Sequence, residues 1–196
     1  MLKKHLLNFD IVLASGSPRR QHFFKELDID FKIDVREIKE IFPTHLKAQE
    51  ITKYLAQLKA TAFKDIKEKQ IVITSDTIVW KDNRTIGKPQ NKQDAINMLQ
   101  GLSGKTHSVF TSVCFTTKDN QNTVSDCTKV HFKELTNDEV EYYLETCKPY
   151  DKAGSYGIQD WLGYIGIEKI EGCFFNVMGL PTRLVYNALL EIAKAK

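Results

Sequence analysis

The chain has little of what marks the specialised protein classes. Its four cysteines (Cys114, Cys127, Cys147 and Cys173) are scattered over 196 residues without a CxxC pair. That spacing argues against a zinc or disulfide framework and suits reduced thiols. Low-complexity tracts, repeats and evident linkers are absent. Net charge is only +3, so no bulk electrostatic pull draws the chain to nucleic acid or anionic lipid, and any basic site must be local. No apolar run approaches the roughly 20 residues of a membrane span. The opening "MLKKHLLNFDIVLASGS" begins with charge, but Asn8 and Asp10 break its apolar stretch and no small-residue cleavage site follows cleanly, so it is not read as a signal peptide. The expectation is a cytoplasmic protein that binds neither nucleic acid nor membrane.

What is present is an ordinary globular composition, 42% hydrophobic and 27% charged, in a chain of single-domain length. "IVLAS" (11–15), "FKIDV" (31–35) and "QIVITSDTIVW" (70–80) read as strands. Pro18 to Leu27 reads as a helix with Ser17 as N-cap, and apolar spacing predicts a long amphipathic helix over 45–66. A further helix is expected over about 92–100, stopping near Gly101. The segments around "DNQN" suit a hairpin turning at 119–122. Thr136 and Glu139 form a capping-box pattern, "GYIGIEKIEG" reads as a strand, and "LPTRLVYNALLEIAKA" closes the chain as a helix. Residues 1–196 are read as one mixed α/β domain, with room for two lobes around a groove.

Several stretches break these local rules, and such places tend to be functional. In "LASGSPRR", Arg19 and Arg20 fall in the first turn of a helix, the positive end of its dipole. They either point to solvent or help the helix end bind an anion, with Ser15, Gly16 and Ser17 letting backbone and hydroxyls approach it. The spacing is not that of a P-loop. Asp76 interrupts a strongly apolar strand. It is either a local cap or a buried metal ligand or general base. Lys88 sits in "GKP", and "YDKAGSYGIQDW" (150–161) fits neither helix nor strand. His107 is read as a hydrogen-bonded core histidine. Together these segments suit a magnesium-assisted site for a phosphate compound.

The ordered set "LASGSPRR", "SDTIV", "GKP", "LSGKTHSVFTSV", "DKAGSYGIQ" and "NVMGLP" resembles the Maf family of nucleotide pyrophosphatases, over residues 11 to 190. The resemblance implies an α/β fold with a mixed twisted sheet, flanking helices and two lobes around a deep groove, like the inosine-triphosphate pyrophosphatases. It implies hydrolysis of a nucleoside triphosphate to monophosphate and pyrophosphate with a divalent metal cation (Mg2+, Mn2+ or Co2+), and a homodimer. It assigns Asp76 as proton acceptor and Ser15, Arg19, Arg20, Lys59 and Lys88 to the phosphates. Asp76 and Glu40 are assigned to the metal, with Glu37 the alternative to Glu40. Arg19, Thr77 and Gln159 resemble the dTTP/UTP branch. A pyrophosphatase for 7-methyl-GTP or another modified nucleotide, or a nucleotide-binding regulator of cell division, is the competing reading. The chain departs from the family pattern at Ser75, where many members carry alanine, and at Asp160 and Trp161, which replace a more glycine-rich stretch.

Overall fold

The computed structural model describes residues 1–195. The elements in chain order are α1 (Leu2–Leu6), β1 (Asp10–Leu13), α2 (Pro18–Glu26), β2 (Lys32–Ile33), α3 (Gln49–Ala60), β3 (Gln70–Lys81), β4 (Arg84–Ile86), α4 (Lys92–Leu102), β5 (Thr106–Thr116), β6 (Gln121–Phe132), α5 (Asn137–Cys147), α6 (Trp161–Gly166), β7 (Ile167–Glu171), α7 (Phe174–Val177) and α8 (Thr182–Lys194). The strand order is β2-β1-β3-β5-β6-β7, with β4 paired to β3. The β1 strand runs parallel to both β2 and β3, with Val12 opposite Lys32 and Val72. The β4 and β7 strands are antiparallel to β3 and β6. This mixed α/β sheet is the expected fold class. Among the described residues no helix is long and apolar enough to cross a membrane.

Two compact units share the chain. The first comprises 1–77, 111–126 and 179–196; the second comprises 78–110 and 127–178. In the first, β1 and β3 bury Val12 and Val72 with Phe63, and α1 packs on α8. In the second, α4, α5 and α6 bury Leu99, Leu102, Val140, Leu144 and Leu162 against Val109, Val130 and Phe132 of the strands. Burying one such side chain fully contributes about 1.5–3 kcal/mol.

Boundaries differ from the sequence reading for local reasons. The helix expected over 45–66 is the shorter α3. Ala48 takes a positive φ of 48° at its entry, which a continuing helix cannot accept. At its exit the Thr61 hydroxyl donates to the Leu58 carbonyl at 2.7 Å, taking an acceptor from the last turn. Ser17 stands at the N-cap of α2 but makes no side-chain cap bond; instead its N–H donates to Ser15 Oγ at 3.3 Å. The "FKIDV" strand shrinks to two residues. "GYIGIEKIEG" is half helix and half strand, α6 followed by β7. A Cβ on Gly163 would lie 1.8 Å from the Ile158 carbonyl oxygen, so only glycine lets α6 turn this close to the preceding loop. The capping box at Thr136 and Glu139 forms as its spacing requires.

Candidate active site

Asp76 lies within β3, 7% exposed, between the apolar runs Ile71–Ile73 and Ile78–Val79 of that strand. Two periodicities place its partner. Thr74 and Asp76 share a face of the strand, and Ala56 and Lys59 share a side of α3. The Thr74 hydroxyl donates to the Ala56 carbonyl at 2.6 Å, fixing helix to strand. One turn further along, Lys59 Nζ donates to Asp76 Oδ1 at 2.8 Å. The same ammonium lies 3.1 Å from Glu40 Oε2. Lys59 therefore holds two carboxylates at one point, and Glu40 rather than Glu37 is the acid brought there.

Burial raises the Asp76 pKa above the ordinary carboxylate range; Lys59 and Arg20 pull it down and Glu40 pushes it up. A carboxylate so balanced can hold or release a proton closer to neutrality than a free aspartate.

Arg20 answers the question posed by two arginines at a helix start. Its Nε donates to the Gly179 carbonyl at 2.9 Å, Nη1 to Ser15 Oγ and to the Ser75 carbonyl at 3.3 Å each, and Nη2 to Thr77 Oγ1 at 3.0 Å. These acceptors are neutral, so they leave its charge uncancelled, and among the described residues they leave a single N–H, on Nη2, for any ligand. Arg20 ties the 15–17 loop, β3 and the Gly179 turn together and projects positive charge toward Asp76. Arg19, half-buried on the same turn, is not its equivalent. Thr77 Oγ1 also meets Thr111 Oγ1 at 3.0 Å and Gly179 O at 3.5 Å, so its hydroxyl sits inside this network. The Ser75 hydroxyl is buried without a hydrogen-bond partner among the described residues.

The remaining two sequence-derived site residues belong to the second unit. Lys88 is exposed in the loop after β4, and Gln159 is half-buried in the 150–160 loop. Those loops are joined by the Gly154 N–H donating to the Gly87 carbonyl at 2.9 Å. His107, as expected of a core histidine, is 2% exposed and shares a 2.7 Å hydrogen bond between Nε2 and the Tyr156 hydroxyl. Burial pushes its pKa down to about 4, with smaller contributions from His131 and Lys81, so the ring is neutral at neutral pH. Sequence reasoning did not single out Thr111, Gly179 or Tyr143. The first two sit in quoted motifs, but Tyr143 carries no local signal beyond its place on the apolar side of a helix.

Among the described residues no group of three or more histidine, cysteine or acidic side chains is placed to hold a metal by itself. The donor set fits a cation of another kind. Magnesium is usually held by one or two carboxylates together with substrate phosphates and water, and Asp76 and Glu40 are two carboxylates converging on one cation, the Lys59 ammonium.

The model of a family described as Maf-like protein matches residues 10–192. Curated relatives are similar along their whole length. The dTTP/UTP pyrophosphatase of Flavobacterium johnsoniae is 54% identical over 98% of this chain and 100% of its own. That of Christiangramia forsetii is 54% identical, covering 98% of each chain. That of Phocaeicola vulgatus is 46% identical over 96% of this chain and 99% of its own. Among solved structures, the Staphylococcus aureus Ham1 protein is similar at 14% identity with a TM-score of 0.43, over 63% of this chain and 71% of that one, too distant a likeness to carry an argument. On the family match and these identities, the chain belongs to the Maf family.

Proposed function

We propose that this protein hydrolyses dTTP and UTP to the monophosphate and pyrophosphate. The observation that carries the reading is the buried Asp76 carboxylate, its pKa raised, held by Lys59 beside Glu40 and Arg20, in a chain 54% identical to proteins named for that reaction.

Asp76 orients a water and takes its proton as the water oxygen bonds to the α-phosphorus and the bond to the bridging oxygen breaks, with pyrophosphate leaving. Lys59 keeps Asp76 aimed and offsets negative charge that develops nearby. Arg19 and Lys88 hold phosphate oxygens, Arg19 beside helix amides that already favour anions. Arg20 adds charge from behind the loop while keeping Ser15 and Thr77 in place. Gln159 discriminates the base, because a site built to bond a substrate group rejects analogues lacking it. When bound by Asp76 and Glu40, a divalent cation would supply neutralisation of phosphate charge and acidification of water.

Hydrolysis of dTTP in ¹⁸O-labelled water tests this route. The expected products are pyrophosphate and a labelled monophosphate. Label in inorganic phosphate, with dTDP as the other product, would contradict it.

A further inference from the structure

Asp160 and Trp161 occupy a loop whose fastening is visible. Asp160 stands at the N-cap position of α6, yet its side chain makes no cap bond to the helix. Its Oδ2 instead accepts the Tyr143 hydroxyl at 3.0 Å and lies 3.5 Å from Lys152 Nζ. The Tyr143 oxygen in turn accepts the Gly157 N–H at 3.0 Å. One phenol from α5, fully buried, thus grips both sides of Gln159: the backbone two residues before it and the side chain one residue after. Burial pushes the Tyr143 pKa up, so the phenol remains a donor. Asp160 reaches this position only because residue 157 is glycine. A Cβ there would fall 2.6 Å from Asp160 Oδ2 and 3.0 Å from Gln159 Nε2. Trp161 adds an edge contact to Tyr142, ring centroids 4.7 Å apart. Tyr156, bonded to His107, closes the near end of the loop.

We propose that Tyr143 and Asp160 are positioning residues for base selection, holding the 156–160 loop so that Gln159 presents its amide in one fixed orientation. The proposal rests on the reading above, in which Gln159 discriminates the base. A hydrogen-bonding group discriminates only as well as it is held, since a mobile amide can re-pair with the wrong base edge. The pin therefore acts on discrimination and KM, while the chemistry at Asp76, in the other unit, keeps its rate.

The experiment compares dTTP and dCTP turnover by the full chain and by Tyr143→Phe, Asp160→Ala and Asp160→Asn, with amide hydrogen exchange of residues 156–160 on each. Tyr143→Phe and Asp160→Ala should raise the dTTP KM and lower the dTTP-over-dCTP ratio of kcat/KM by about tenfold each, with kcat within about threefold. Exchange in the loop should rise in both. Asp160→Asn retains an acceptor for the phenol and should restore most of the ratio. Should Tyr143→Phe fold poorly, Asp160→Ala decides, because it removes no capping bond. Unchanged discrimination in folded variants would overturn the proposal. So would an equal loss of kcat on both nucleotides, which would make the contact merely structural. A wild-type chain with no turnover and no base preference would overturn the functional reading, and this proposal with it. A selective wild type with equally selective variants would overturn the proposal alone.

Discussion

The clustered polar groups of the two units differ in kind. In the first unit, Asp76, Lys59, Glu40 and Arg20 are ionisable side chains that contact or act on one another, and burial works against the charge on Asp76. In the second, His107, Tyr156 and Tyr143 are neutral at neutral pH and bonded to one another or to the loop they hold. Ionised groups in a poorly solvating place retain the capacity to react, because a bound anion, a cation or a proton can still lower their energy. Neutral groups already paired have no such reserve, and what they supply is rigidity. On the proposed reading, chemistry and the holding of a recognition loop fall to separate sets of side chains.

The largest break in that contrast is Asp76→Asn. It should lower turnover by at least about 10³-fold, given that a single electrostatic group at such a site commonly carries 10²–10³ and that Asp76 is proposed to take the water's proton as well. The melting temperature should hold or rise, because a carboxylate disfavoured by burial is gone. Steady-state rates with calorimetry check both halves. Next comes acid. His107 has a folded pKa of about 4 against an ordinary 6.5, so the unfolded chain binds the extra proton first. Its contribution to stability is present above pH 6.5 and is lost as pH falls toward 4, by up to about 3 kcal/mol. Denaturant unfolding from pH 7 to 4 should show this slope, and His107→Gln should flatten it. A slope that survives the substitution would assign the acid sensitivity elsewhere.

Lys59→Met removes the cation from two carboxylates. Turnover should fall about 10²-fold and stability by about 1–3 kcal/mol, the usual penalty for a buried group left unpaired. The smallest effect is at Ser75. Its hydroxyl is buried without a partner among the described residues, so Ser75→Ala should leave activity unchanged and raise stability by up to about 1 kcal/mol. A loss of stability there would mean that the hydroxyl has a bonded water.

What could be read from sequence follows the reach of each signal. A carboxylate in an apolar strand, paired arginines at a helix start and a capping box are local patterns, and Asp76, Arg20 and Thr136 stand where those patterns put them. The different duties of Arg19 and Arg20 were not legible, because Arg20's acceptors lie 5, 55, 57 and 159 residues away in the chain. Tyr143 was invisible for the same reason: its partners Gly157 and Asp160 are 14 and 17 residues distant. The α3 boundaries failed on backbone conformation at Ala48, which apolar spacing does not encode. Family resemblance supplied Glu40 as the metal-side acid; its convergence with Asp76 on Lys59 is a tertiary fact.

The most direct test of the account is pyrophosphate release with magnesium from dTTP, UTP, CTP, dATP, GTP, ITP and 7-methyl-GTP, by the wild-type chain and by Asp76→Asn. The account predicts turnover concentrated on dTTP and UTP and abolished in the variant. Pyrophosphate released from no nucleotide, or released equally well without the Asp76 carboxylate, would contradict it.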